Sequence, residues 1–370
     1  MNIYNYIDDY GIYSFKEKKF NEIDAIIFSF LSYANFDGIM KKNKKCTIQE
    51  IGRMHLGFFP GKDRNVMAVR DGNILLRYLK DTKRYKDCII SHYEYVGDQD
   101  VQFGAISIEY QPNRVYISFE GTDELFSGWK ENFILSYKFP TKSHQLAIEY
   151  LNKHYTFSMK RLIVGGHSKG GNLALVGAMK ANFLVRSKIK YVYSGDGPGL
   201  LDNEYKSKRY EKLKKKYIHI IPDSSFVGLL LNHSNDIVIK ASNKGILDHN
   251  IMYWQVDGTH FKRAELSSMS QELDREIAKW LDEYEDEDKK KFVKNLDDIF
   301  KKAKIKSILD LKEKKSLILS LIYESKEMSN QSKKVLINFI LILIKCFSNT
   351  KKEEIKQFIS NIFKIKGKEE

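Results

Sequence analysis

Two hydrophobic rhythms divide the chain. Through the first 263 residues, short runs rich in Ile, Val, Tyr and Phe recur between Gly, Asp, Asn or Pro. Runs at 88–95, 102–110 and 114–119 have this composition and predict strands, because β-branched and aromatic side chains fit a pleated, half-buried surface. Shorter runs at 162–165, 191–194, 217–221 and 252–256 read the same way. Helical patterns fall between them. The largely apolar stretch 21–35 follows a cap at Asn21, Thr47 with Glu50 three residues on forms a capping box, and Thr141 or Ser143 opens a helix through Ala147, Tyr150 and Leu151. Strand and helix in alternation predict an α/β layer fold with a partly parallel sheet.

Beyond Ala264 the rhythm changes. No Gly or Pro occurs from Thr259 to Lys366, and Ile305, Ile308, Leu309, Leu317, Ile318, Leu321 and Ile322 recur at helical spacing. The chain therefore divides into a body, 1–263, and a charged helical C-terminal extension, 264–370. The run 335–344 is interrupted by Asn338 and flanked by Lys334 and Lys345, which is too short to span a bilayer and suits a buried helix.

A length of 370 residues with 42% hydrophobic and 13% aromatic residues and 5 prolines excludes disordered and fibrous classes. The net charge of +14 raises nucleic acid or an anionic surface as partners. Of the 62 basic residues, however, 11 are Arg and 51 are Lys, and lysine is a solvated point charge, not the forked donor that reads bases. The extension carries 23 basic against 20 acidic residues, a net +3, so the body holds the remaining +11. No nucleic-acid motif accompanies that charge. At most it helps the body approach an anionic membrane. Three cysteines, Cys46, Cys88 and Cys346, show no paired spacing, so neither disulfides nor a zinc site is expected. With no secretory leader evident near Met1, the expected location is cytoplasmic.

The segment with the sharpest chemistry is 161–178, where Gly166, Ser168 and Gly170 form G-x-S-x-G between a short apolar strand and a small-residue helix. A serine on such a tight turn projects its hydroxyl above the sheet, and residues without a Cβ let the backbones approach. The following helix aims its amides and positive dipole end at the place where a tetrahedral intermediate carries negative charge. Walker A spacing is absent, so a phosphate-binding turn is disfavoured.

Gly166-His167-Ser168-Lys169-Gly170-Gly171, with the segment Val115 to Asp123 containing Phe119-Glu120-Gly121-Thr122 and with Trp129 six residues further on, resembles the class-three lipases. It is also similar to a poorly characterised bacterial family of lipase-like hydrolases, a domain of unknown function. Glu120 stands where those lipases usually carry Arg. The resemblance spans about 23–261 and implies an α/β-hydrolase fold and hydrolysis of acyl esters, lipid-like or soluble. It further implies oxyanion donors at Thr122 and at the Lys169 N–H, and no metal or organic cofactor.

Chain order in such hydrolases is serine, acid, histidine. A base is required because a serine hydroxyl is a weak nucleophile until its proton is removed. Candidates after Ser168 are His219, His233, His249 and His260; His219 lies inside a strand pattern, where it packs. His249 ranks first, since it precedes a segment containing Trp254, as in the related bacterial family, and His260 is the runner-up. For the acid, Asp223 just past the strand 217–221 ranks above Asp236, and Asp196 reads as a turn former. The apolar stretch 226–231 is either a buried short helix or an acyl-chain wall or lid. The leading expectation is a serine esterase acting through an acyl-enzyme on Ser168. The alternative is a lipase-like fold without efficient turnover that serves as a binding or scaffold protein, its helical tail meeting a protein partner.

Overall fold

Eight strands lie side by side in the order in which the chain makes them. The computed structural model describes residues 1–40, 45–56, 67–97, 101–122, 134–242 and 245–302. β1 (Lys45–Thr47), β2 (Ile89–Gly97), β3 (Gln102–Gln111) and β4 (Arg114–Phe119) pair antiparallel. From β4 onward the sheet turns parallel, through β5 (Arg161–His167), β6 (Ile189–Gly195), β7 (Tyr217–Pro222) and β8 (Asp236–Ile239). The central strands are apolar on both sides, as buried parallel strands must be. β5, for example, is buried at every position after Arg161.

Helices cover both faces. On one lie α1 (Ile3–Tyr10), α2 (Glu22–Leu31), α3 (Ile48–Leu56) and α4 (Met67–Leu79), whose core includes Ile26, Phe28, Leu75, Tyr116 and Trp254. α2 is buried at all positions but Glu22, so it reads as an apolar run without an exposed face. Its Asp24 is sealed inside with Arg84 in a two-pronged pair of 2.6 and 2.8 Å, and Tyr85 donates to the same carboxylate at 2.7 Å. On the other face α5 (Lys142–Tyr155), α6 (Lys169–Lys180), α7 (Phe183–Lys188), α8 (Asp202–Tyr205) and α9 (Lys208–Lys214) make the crossovers, with Leu151, Leu173, Val176 and Tyr217 in the core between them. Crossover helices on a mostly parallel sheet, with a serine elbow after β5, make this an α/β-hydrolase fold.

Most expected elements are present within a residue or two. Asn21 caps α2, Thr141 caps α5, and the Thr47–Glu50 box closes with Glu50 accepting from the Thr47 amide at 2.7 Å. The run 252–256 is not one strand, and only its end, Val256, enters a short strand that pairs with Phe261. Asn250 caps a 3₁₀ turn at Ile251–Tyr253, and the Trp254 amide donates to the Ile251 carbonyl, so the β-rich composition is overridden by a side-chain cap. The short strands β1 and β8 were not foreseen.

The extension is helical as far as it is described, in α10 (Ser268–Glu283) and α11 (Asp286–Lys302). α10 starts on the body, where the Ser267 amide donates to the Asp223 carbonyl at 2.8 Å. The apolar run 335–344 lies outside the described residues. Among the described residues, no helix is long and apolar enough to cross a membrane.

Candidate active site

β5 ends at His167 and α6 starts at Lys169, leaving one residue to reverse direction. That residue is Ser168, held at φ 58° and ψ −134°. A non-glycine residue in this region is strained, and it persists only where the surroundings fix it. Two contacts do so: the Ser168 amide donates to the Gly195 carbonyl at 2.8 Å, and the Gly171 amide donates to the Ser168 carbonyl at 2.9 Å. Gly166 and Gly170 allow the turn to close, because a Cβ on Gly166 would strike the Gly170 backbone and one on Gly170 the Phe119 carbonyl. The local sequence folds this way because both flanking positions lack a side chain.

Asp196 and His249 meet beside that turn. His249 ends a 3₁₀ turn, Gly245–His249, and its Nδ1 lies 2.6 Å from Oδ2 of Asp196. Asp196 follows directly on β6, adjacent to the Gly195 carbonyl that receives the Ser168 amide, and is fully buried. Its other oxygen accepts from the Ser225 hydroxyl and, at 3.0 Å, from the Gly228 amide. Burial would raise this carboxyl, but the hydrogen bonds and charge of His249, with the Ser225 hydroxyl, hold it below the ordinary aspartate value. The apolar stretch 226–231 is not a helix but a buried loop, and its Gly228 amide donates to Asp196.

His167, expected as part of the elbow, secures the base. Its Nε2 donates to the His249 carbonyl at 2.7 Å, its Nδ1 accepts from the Tyr33 hydroxyl at 3.1 Å, and its ring lies 4.5 Å from the His249 ring. This pattern requires a neutral imidazole protonated on Nε2. Burial, with the neighbouring His249, pushes its pKa down to about 3. Trp254 fixes the same segment, donating from its indole to the Asp248 carbonyl at 2.8 Å. Asn250 ties it to α4 through Asp71 at 2.7 Å.

The two segments expected to supply oxyanion donors both adjoin the serine. Gly121 follows β4 so closely beside Ser168 that a Cβ there would stand 3.0 Å from the Ser168 Cβ, and buried Thr122 comes next. Lys169 opens α6, where helix amides point outward along the axis. Its side chain turns away, Nζ donating to the Gln102 carbonyl at 2.7 Å. Glu120 is buried, its amide bonded to the Gly104 carbonyl at 2.8 Å. Asp123 and Trp129 lie outside the described residues.

Residues 79–300 match the Mbeg1-like family. The chain belongs to that family. Among solved structures, this Mbeg1-like chain is similar to the Rhizomucor miehei lipase in its propeptide complex, with 17% identity over 41% of this chain and 57% of that one and a TM-score of 0.33. It therefore spans little more than half the length of that lipase. It is also similar to the M37 lipase, with 16% identity, 68% and 77% coverage and a TM-score of 0.35. A fungal lipase in complex with an inhibitor shows 14% identity, 55% and 70% coverage and a TM-score of 0.32. No protein of curated function matches the sequence. The Mbeg1-like chain has the α/β-hydrolase fold, and its own strand order and serine elbow carry that description.

The other expected residues are elsewhere engaged. Asp223, the first choice for the acid, does not face His249. Its carboxylate accepts from Lys240 Nζ at 2.6 Å and from the Ala241 amide at 3.1 Å, so a cation on the next strand's end takes the place an imidazole would need. Asp236, the second choice, is bonded to His219 and His233 at 2.7 and 2.6 Å. His260 is exposed in a short strand, His260–Phe261, and touches Thr259. Asp196, expected as a turn former, is the carboxylate that faces His249. It does shape a turn, at φ 48°, and the signal that could have raised it was its place directly after a parallel strand, where ligand-facing residues gather.

Proposed function

We propose that this protein is a serine hydrolase of acyl esters, working through an acyl-enzyme on Ser168. The observation that carries the reading is the 2.6 Å contact of His249 Nδ1 with buried Asp196, one residue beyond the carbonyl that holds Ser168. Asp196 fixes the tautomer in which His249 keeps its proton on Nδ1 and offers Nε2 as base. Ser168 Oγ attacks the ester carbonyl carbon while its proton passes to Nε2. The carbonyl oxygen takes the negative charge, and the amides of Thr122 and Lys169 stabilise it. Collapse breaks the bond to the alcohol, which leaves with the proton from Nε2. Water, deprotonated by the same nitrogen, then releases the acid and restores the serine.

A carboxylic ester matches this machinery without a metal or organic cofactor in the reaction. The test is covalent labelling by a fluorophosphonate, followed by ester turnover. Wild type is expected to label, Ser168→Ala to lose labelling, and His249→Ala to label at least 100-fold more slowly, the order of a missing general base. Labelling that persists in Ser168→Ala would overturn the assignment. A folded wild type that neither labels nor turns over an ester panel would favour the binding or scaffold alternative.

A further inference from the structure

Behind the elbow, on the β7 and β8 side, lies a second histidine and carboxylate cluster that the reaction above does not use. His219 projects from β7 and Asp236 opens β8, in register with each other, while His233 comes from the loop just before β8. His219 Nδ1 lies 2.7 Å from Asp236 Oδ1, and His233 Nδ1 lies 2.6 Å from Asp236 Oδ2. The three donor atoms fall within 4.8 Å of one another. The far side of each ring is what distinguishes them. His219 Nε2 lies 3.0 Å from the Gly197 carbonyl, and His233 Nε2 lies 3.2 Å from Oδ1 of Asp274 on α10.

A carbonyl and a carboxylate only accept, so each Nε2 carries a proton. Asp236 also only accepts, so each short contact is a hydrogen bond donated by Nδ1, and a metal ion seated there would take the place of those two protons. Metal-bound histidines show this arrangement, with the outer N–H donated to a carbonyl or carboxylate that sets ring orientation. We propose that His219, His233 and Asp236 bind a divalent transition-metal ion of the zinc type, with Gly197 and Asp274 as the outer partners. Two imidazoles and one carboxylate favour zinc, cobalt or nickel over the oxygen-seeking calcium and magnesium. Charge also balances, because Asp236 and Asp274 together offset two positive charges. Ligand atoms around tetrahedral zinc stand roughly 3.3 Å apart, so the two short gaps open by about 0.6 Å on loading. His233 and Asp236 retain 13% and 17% of their side-chain exposure, which gives the ion a way in and room for a water ligand.

Such an ion would join four pieces of chain: β7, the loop before β8, β8 itself and, through Asp274, the first helix of the extension. Through the Gly197 carbonyl it would also steady the residue next to Asp196. The experiment uses untagged full-length protein stripped with a chelator, loaded with Zn²⁺, desalted and assayed for bound metal. Wild type and Ser168→Ala are each expected to retain about one equivalent, with Tm rising by roughly 5 °C at saturating metal. Asp236→Asn and His233→Gln are expected to retain little. In wild type loaded with Co²⁺, the intense visible absorption of tetrahedral coordination should appear, a readout that holds even if the variants fail to fold. Absence of stoichiometric metal and of that absorption in folded wild type would overturn the proposal, as would equal retention by folded Asp236→Asn.

Discussion

The ends of β6 and β7 offer the same chemical part in two settings. Asp196 follows β6, Asp223 follows β7, and both are buried where parallel strands deliver residues to the site edge. Asp223 meets the Lys240 side chain, which only donates, and its own backbone carbonyl receives Ser267 and Ser270 at the start of α10. Asp196 meets His249, an imidazole whose second ring nitrogen is left to accept a proton from another group. The first aspartate fastens the extension to the body. The second orients a titratable partner beside a strained serine. Position at a strand end is thus shared by a fastener and a catalytic candidate, and the nature of the opposing side chain separates them.

The sharpest way to break this contrast is to remove each negative charge in turn. Asp196→Asn should lower kcat by about 10⁴-fold in an ester assay, since an amide can hold the wrong tautomer of His249. Asp223→Asn should leave kcat little changed, and an equal loss in both would erase the distinction.

A smaller effect follows from His167. Its neutral ring binds no proton in the folded protein until near pH 3, whereas an unfolded histidine binds one below about pH 6.5. The unfolded chain therefore takes up more protons between those values, and stability from this group is full above pH 6.5 and declines as pH falls toward 3. The decline is of the order of 3–5 kcal/mol. Urea melts across this range should show it, and His167→Gln, which keeps a donor for the His249 carbonyl, should flatten that part of the slope.

Ser225→Ala removes one hydrogen bond to the buried Asp196 carboxylate and should cost about 2 kcal/mol in denaturant unfolding. Asp223→Asn should cost less, about 1 kcal/mol, because Lys240 is partly exposed to water that screens the pair. A reversed order would mean that Asp223 is the more demanding carboxylate of the two.

The elbow was legible because its cause is local: Gly166 and Gly170 must lack a Cβ within two residues of the serine, and an apolar strand must come first. The place of His249 was marked by Trp254, five residues further on, whose indole clamps the carbonyl of the preceding Asp248. The acid was not legible. Asp196, Asp223 and Asp236 all adjoin strands, and which of them faces His249 depends on where the loop 223–235 and the 3₁₀ turn come to rest after the sheet has formed. Asp196 was read as a turn former for a sound reason, its Gly and Pro neighbours, and the same bend that makes the turn aims the carboxylate. Likewise 252–256 has strand composition, and the Asn250 side chain, bonded to the Met252 amide, commits its start to a turn while Val256 stays in a strand.

Strand order also carries a temporal meaning. Because every strand lies next to the one before it, a chain emerging from the ribosome can add each new strand to an existing edge, and the elbow is complete once β6 is in place. The base arrives later, with residues 245–254, and the Val256 amide then reaches back to the Met1 carbonyl at 2.8 Å while Arg263 clasps Glu22. A nascent chain stopped before residue 245 would therefore display its serine elbow without His249, so under the proposed mechanism the order of synthesis withholds the base until the body has closed.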